Sequence, residues 1–185
     1  MKHLLLFALL IAATHSFAQD GRLPLDSKNS ISYTDSGQPK LGRTELHEKI
    51  RAWVDKKFGN AQNAITSDDT QAGIILITSY IPVIHSDYQY VRFDLGVQYK
   101  DNLYDARITT LDGVSAEHSP IRLGARDNDN ITAKEQIIKT ESNRKKRKEA
   151  ELALQTAKAD NDGINTSLYN LLADLKAYIT GPKAE

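Results

Sequence analysis

The longest regular pattern in the chain runs from Tyr90 to Tyr99, where Val91, Phe93, Leu95, Val97 and Tyr99 alternate with Arg92, Asp94, Gly96 and Gln98. Successive side chains of a strand point to opposite faces, so this run predicts a strand with one apolar and one wet face. Asp101-Asn102 supplies turn chemistry, and Tyr104, Ala106, Ile108 and Thr110 then alternate against Asp105 and Arg107 up to a further turn at Asp112-Gly113. These two strands are expected to form a hairpin. Upstream, Ala64-Ile65-Thr66 and Gly73 to Ile81, joined by a turn at Ser67-Asp68-Asp69 and stopped by Pro82, predict two more strands, and Asn29 to Thr34 a first one. Polar-out alternation in consecutive strands implies an antiparallel sheet of about five strands, covered on one face only.

The helices that cover it follow a different period. Thr44 is a good N-cap, and Leu46, Ile50, Trp53 and Val54 follow at three- and four-residue steps until Gly59-Asn60 closes the helix. Trp53 sits in this apolar stripe and is expected to be a core anchor with its N–H near a partner. Near the C-terminus, Ile164, Leu168, Leu171, Leu172, Leu175, Tyr178 and Ile179 make a second continuous stripe, stopped by Gly181-Pro182. Between the sheet and this last helix the signals are mixed. Pro120 to Leu123 suits a short extra strand and Asp127 to Asn130 a loop. Thr132 with Glu135 makes a capping box for a helix reaching about Ala159, and Asp160-Asn161-Asp162-Gly163 is expected to interrupt it. Residues 115–162 are therefore expected to be an insertion, with a basic middle at Arg144, Lys145, Lys146, Arg147 and Lys148 that has no apolar stripe and must face solvent.

The first eighteen residues lie outside this scheme. Lys2, the apolar run Leu4 to Ala13 and small residues at Ser16-Phe17-Ala18 read as a cleaved signal peptide, so that a single domain of residues 19–185 is expected in the periplasm or outside the cell. An apolar run of about ten residues is half of the roughly twenty needed to span a bilayer, so no transmembrane span is expected in the mature chain. With 24 basic and 24 acidic residues the chain is close to neutral, and a charged partner must be met by a local patch. Absence of Cys excludes a disulfide framework, a thiolate nucleophile and a thiolate metal site.

Together these elements give an α+β order of strand, helix, four antiparallel strands and a final helix, two helices on one sheet face, plus the basic helical insertion. Leu23-Pro24-Leu25-Asp26 with Ile31 to Thr34, the helix from Glu45-Leu46-His47 to Trp53 and Phe58, and the Asp69 to Gly73 hairpin carry a resemblance to a family of small exported bacterial proteins. That family is known as domain of unknown function 4468 and has a TBP-like fold. The resemblance implies the fold and brings no catalytic residues. It covers roughly residues 22 to 111 plus the last helix, and the sequence departs from it between Ser115 and Asp162.

Motifs that would carry chemistry fall short. Asp127-Asn128-Asp129-Asn130 opens like a calcium loop, but Thr132 stands where glycine is needed and Ile138 where the closing Glu belongs. His47, His85 and His118 are far apart without metal-ligand spacing, and His3 and His15 leave with the signal peptide. Gly113-Val114-Ser115-Ala116-Glu117 begins like a nucleophile elbow and ends in Glu instead of Gly. No cofactor and no enzymatic activity are expected. The basic run lacks interleaved aromatics and is diluted by Glu141 and Glu149, which argues against nucleic acid. The expected function is a non-catalytic binding or structural module of the cell envelope. Its candidate surfaces are the open sheet face with Arg92, Gln98 and Arg107, and the basic patch Arg144 to Lys148. A partner protein, an apolar ligand between sheet and helices, or an anionic lipid or polysaccharide surface are the partners considered. The alternative from another class is a hydrolase of envelope polymers acting through paired carboxylates such as Asp68-Asp69 or Glu117.

Overall fold

The structure, a computed structural model, describes residues 20–116 and 119–181. The proposed signal peptide, Glu117, His118 and Pro182 lie outside the described residues. Six strands form one antiparallel sheet: β1 (Tyr33–Gly37), β2 (Ile65–Asp69), β3 (Ile74–Pro82), β4 (Tyr90–Lys100), β5 (Leu103–Val114) and β6 (Ile121–Leu123). Their order is β1-β5-β4-β3-β2, and β6 pairs with the far end of β5 beyond β1. Helix α1 (Arg43–Phe58), the single turn α2 (Ala61–Ala64), α3 (Ala125–Thr140) and α4 (Arg144–Thr180) are the helices among the described residues. The architecture is α+β, as the alternation and the helical stripes imply.

Val91, Phe93, Leu95, Val97 and Tyr99 of β4 are all buried and interleave with Ile75 and Ile77 of β3 and Tyr104, Ala106 and Ile108 of β5. Leu46, Ile50, Trp53 and Val54 of α1 and Ile164, Leu168, Leu171, Leu172, Leu175 and Ile179 of α4 cover that face. The expected Trp53 anchor is 1 % exposed, and its indole N–H donates to Asp174 Oδ2 at 3.1 Å. Side chains from sheet and helices thus form one packed core.

Several boundaries differ from the sequence pattern, each for a local reason. In β5 the alternation shifts at Thr110, which has φ 36° and no partner in the register between Thr109 and Leu111. This extra residue is a β-bulge, so Leu111 rather than Thr110 turns inward and the strand runs through Asp112-Gly113 to Val114. On the edge hairpin, Ser67 to Asp69 remain in β2, and the turn follows at Thr70 to Gly73, where the Asp69 carboxylate accepts the N–H groups of Gln71 and Ala72. Gly73, at φ 70°, is required there because a Cβ would lie 2.3 Å from the Tyr99 carbonyl. Helix α1 starts at Arg43, so Thr44 sits inside its first turn and makes no cap.

The region from 115 to 162 shows the largest correction. Helix α3 begins at Ala125 and swallows the expected Asp127–Asn130 loop; Asp127 accepts the Gly124 N–H at 2.7 Å and caps the end, while Thr132 lies mid-helix with its hydroxyl on Asn128 O. The chain breaks at Glu141 to Asn143 instead, and Asn143 caps α4 by accepting the N–H groups of Lys145 and Lys146. Helix α4 then runs 37 residues through Asp160-Asn161-Asp162-Gly163 without interruption. Those residues are spent on tertiary bonds: Asp160 accepts from Ser86 Oγ and the Asp87 N–H, Asn161 donates to Gly21 O, and Gly163 lets the Ile84 carbonyl approach to where a Cβ would stand 2.7 Å away. A helical arm results, α3 lying antiparallel to the first half of α4 and linked to it by Glu135 and Lys158 at 2.7 Å.

Candidate functional site

The face of the sheet opposite α1 and α4 carries no helix among the described residues. The strand register places Tyr80, Arg92, Asp112 and Arg122 in one row across β3, β4, β5 and β6. Arg92 reaches Asp112 at 3.1 Å and Asp94 at 3.4 Å, and Arg122 meets the other oxygen of Asp112 at 2.6 Å. Asp94 also accepts the Thr78 hydroxyl at 2.7 Å. Opposite charges on adjacent strands stiffen this face, each pair contributing roughly 0.2 to 1 kcal/mol. A second row runs through Leu76, Gly96, Arg107 and Thr34, in which the bare Gly96 leaves a shallow floor between an apolar side chain and a guanidinium. Gln98 is exposed in the row beyond.

Arg92, Gln98 and Arg107 therefore share the open face, with Arg92 engaged in the ion ladder and Gln98 and Arg107 exposed. The sequence pattern gave less notice of the apolar members of the same face. Leu76 is 44 %, Tyr80 56 % and Tyr90 47 % exposed. The outward positions of Gly73 to Ile81 are masked by the apolar run Ile74 to Ile77, which does not reveal which residues face out; the pairing of Leu76 with Gly96 and of Tyr80 with Arg92 does.

The basic patch lies elsewhere. Arg144 to Lys148 form the first turns of α4 at the free end of the arm, all exposed, and Arg147 lies 3.9 Å from Glu151. No acidic residue occupies this first turn, so cations crowd the positive end of the helix dipole. Apolar Ile137 and Leu152 on the arm are also exposed, at 46 % and 67 %. Grooves of about 440 Å³ (Ile138, Glu151, Leu154, Lys158 and Asp162 among its walls) and about 470 Å³ (His85, Ser86, Asp87, Leu152 and Asp160) flank the middle of α4.

A third cluster, not read from the sequence, ties α1 to the edge strand. Arg43, His47 and Arg51 are spaced four apart and face β2: His47 Nε2 is 2.9 Å from Asp68, Arg51 bonds the same carboxylate, and Arg43 donates to the carbonyls of Thr70 and Gln71. Burial alone would raise the Asp68 carboxyl, but hydrogen bonds from His47 and Arg51 hold it below its usual range. His47 also stacks on Tyr99, ring centroids 5.7 Å apart. Asp68 is thus committed to His47 and Arg51, and Asp69 to its own turn, so the two carboxylates are not poised as an acid/base pair. Among the described residues no three His, Asp or Glu side chains gather closely enough to hold a metal, and no helix is long and apolar enough to cross a membrane.

Element order, sheet register and the two helices on one face define an α+β domain of TBP-like fold, and solved structures bear this out. A TBP-like protein from Parabacteroides distasonis superposes with a TM-score of 0.60 at 15 % identity over 86 % of this chain and 98 % of its own. A DUF4468 family protein from Bacteroides ovatus gives 0.59 at 14 % identity over 88 % and 93 %. These neighbours agree with the resemblance carried by the opening strand, first helix and edge hairpin; at such identities they show the fold. The match to nearly the whole of both neighbours extends past the expected residues 22 to 111. No family model matches the sequence, and no curated protein does.

Proposed function

We propose that this chain is a non-catalytic binding module of the cell envelope, exported by the leader at residues 1–18, and that it binds a partner protein with its open sheet face. The observation that carries this reading is the uncovered face itself: Leu76, Tyr80 and Tyr90 stand exposed on a sheet stiffened by the Arg92, Asp112 and Arg122 ladder, with Gln98 and Arg107 beside them. Partly exposed tyrosines over a rigid floor offer large contact area at low entropic cost, and arginines supply orientation at the rim. The half-buried acids of this face are already paired with cations, which favours recognition over hydrolysis. The test compares capture from envelope extract by the unaltered chain and by a Leu76→Asp, Tyr80→Asp double variant. Both positions are solvent-facing, so the fold survives while any partner held at this face is lost. Equal capture of the same partner by both overturns the reading.

A second reading is favoured by the arm. Its five exposed cations oppose the dipole of α4, an arrangement that an anionic lipid or polysaccharide surface would relieve. Salt-sensitive sedimentation with anionic vesicles, lost in a Lys145→Ala, Lys146→Ala, Arg147→Ala variant, is its expected result.

A further inference from the structure

Residues Gly21 to Leu23 cross the base of the arm as an extended strap that belongs to no strand of the sheet. Side chains bond all three of its carbonyls and the N–H groups of Arg22 and Leu23. Asn128 Oδ1 accepts the Leu23 N–H and its Nδ2 donates to Leu23 O, both at 2.9 Å. Asn161 donates to Gly21 O at 2.8 Å and Asn165 to Arg22 O at 2.9 Å. The Gly21 N–H faces the Asp162 carboxylate, and that of Arg22 donates to Asp20 at 3.0 Å. Asn165 is held independently of the strap, because the buried Tyr33 donates its hydroxyl to Asn165 Oδ1 at 2.7 Å, and Asn161, one turn before it on α4, is buried beneath the strap. Preset amides reading main-chain groups are the chemistry of peptide recognition, in which backbone bonds give affinity and side-chain pockets give selectivity.

The pockets are selective. Gly21 has φ 73°, and a Cβ there would lie 2.4 Å from Lys158 Cγ, so only glycine fits. Arg22 spans Thr132 at 3.0 Å and Glu135 at 3.2 Å. Leu23 is 2 % exposed. Pro24 keeps Leu23 extended. We propose that this cleft between α3 and α4 is a peptide-recognition site for a glycine, long basic residue, leucine sequence, filled in cis by the strap and open in trans to the strap of a second copy of this chain. Gly-Arg-Leu occurs once in the sequence, at the strap, which identifies the occupant. Beyond Leu23 the strap is joined to the sheet by the exposed turn Ser27 to Ser30, the bridge from Leu25 to Ile31 and the bonds from the Asp26 N–H to Ser30 O and from the Ser32 N–H to Pro24 O, none of them within a paired strand, so its exchange withdraws Leu23 from the core but breaks no strand pairing. Exchange between copies preserves each bond, and protein concentration sets the balance. This site is separate from the open face, and neither depends on the other.

The test uses a fluorescent peptide of residues 20–26 and the full chain carrying Gly21→Ala, which expels the strap by the Lys158 clash and leaves the cleft intact. The variant is expected to bind the peptide at least tenfold more tightly than the unaltered chain, and a peptide with Ala at the glycine position is expected to lose at least tenfold. Equal binding by variant and unaltered chain, or by both peptides, overturns the proposal. Should circular dichroism show the variant unfolded, hydrogen exchange on the unaltered chain decides: excess peptide is expected to speed exchange at the Leu23 amide several-fold, and an unchanged rate overturns the proposal.

Discussion

Asp68 and Asp162 show how two carboxylates on one scaffold respond oppositely to acid. Despite burial, Asp68 is held below its ordinary 3.8 by His47 and Arg51. Its contribution to stability is therefore complete above that value and is lost as the pH falls through its lower folded value. Asp68→Asn is expected to lower the unfolding midpoint at neutral pH and to flatten its decline on acidification; an unchanged acid limb in thermal melts from pH 7 to pH 2 contradicts this. Burial pushes the Asp162 carboxyl up from 3.8, and its Oδ1 finds no partner. The penalty then appears as pH rises through and above 3.8, so Asp162→Asn is expected to raise the midpoint at neutral pH and to bring no gain in strong acid. Thr110 is a third residue with a defined cost, since a β-branched side chain at φ 36° is strained by roughly 1 kcal/mol. Thr110→Gly relieves it and is expected to raise the melting temperature by about 2 °C.

At the scale of elements, the stripes and alternations were legible because burial enforces them. β4 and the C-terminal half of α4 lie where their apolar periods put them, from Val91 to Tyr99 and from Ile164 to Ile179. What stayed hidden were residues whose local chemistry is diverted to distant partners. Asp160-Asn161-Asp162-Gly163 has the composition of a break, yet continues a helix because its side chains hold Ser86, Asp87 and Gly21. Asn128 likewise has the look of a loop residue and serves Leu23 instead. The same diversion explains why the strap cleft left no local signature: its asparagines come together only when α3 folds back along α4. Removing the cations at the positive end of α4 has a sign fixed by the dipole. The Lys145→Ala, Lys146→Ala, Arg147→Ala variant is expected to gain roughly 0.5 to 1 kcal/mol in urea unfolding, the low end of what several opposed charges cost. A loss of stability would show that the cluster is held by contacts within the chain.

Across the whole molecule, one side of the sheet is closed by helices and the other presents a rigid, mixed apolar and charged floor. Alternation alone places Arg92, Gln98, Arg107 and Tyr90 on that floor; Leu76 and Tyr80 join them only through register. The core that supports the floor is continuous from α1 to α4, and Leu168→Ala at its centre is expected to cost about 2 to 5 kcal/mol in urea unfolding. The most direct measurement of how the molecule works replaces Gln98, on the open face, or Lys145, on the arm tip, with a photo-cross-linking residue in cells producing the chain. A partner protein bound at the floor gives a discrete adduct from position 98 and none from position 145. Adducts from position 145 alone, or an adduct from position 98 that persists in the Leu76→Asp, Tyr80→Asp background, contradict it.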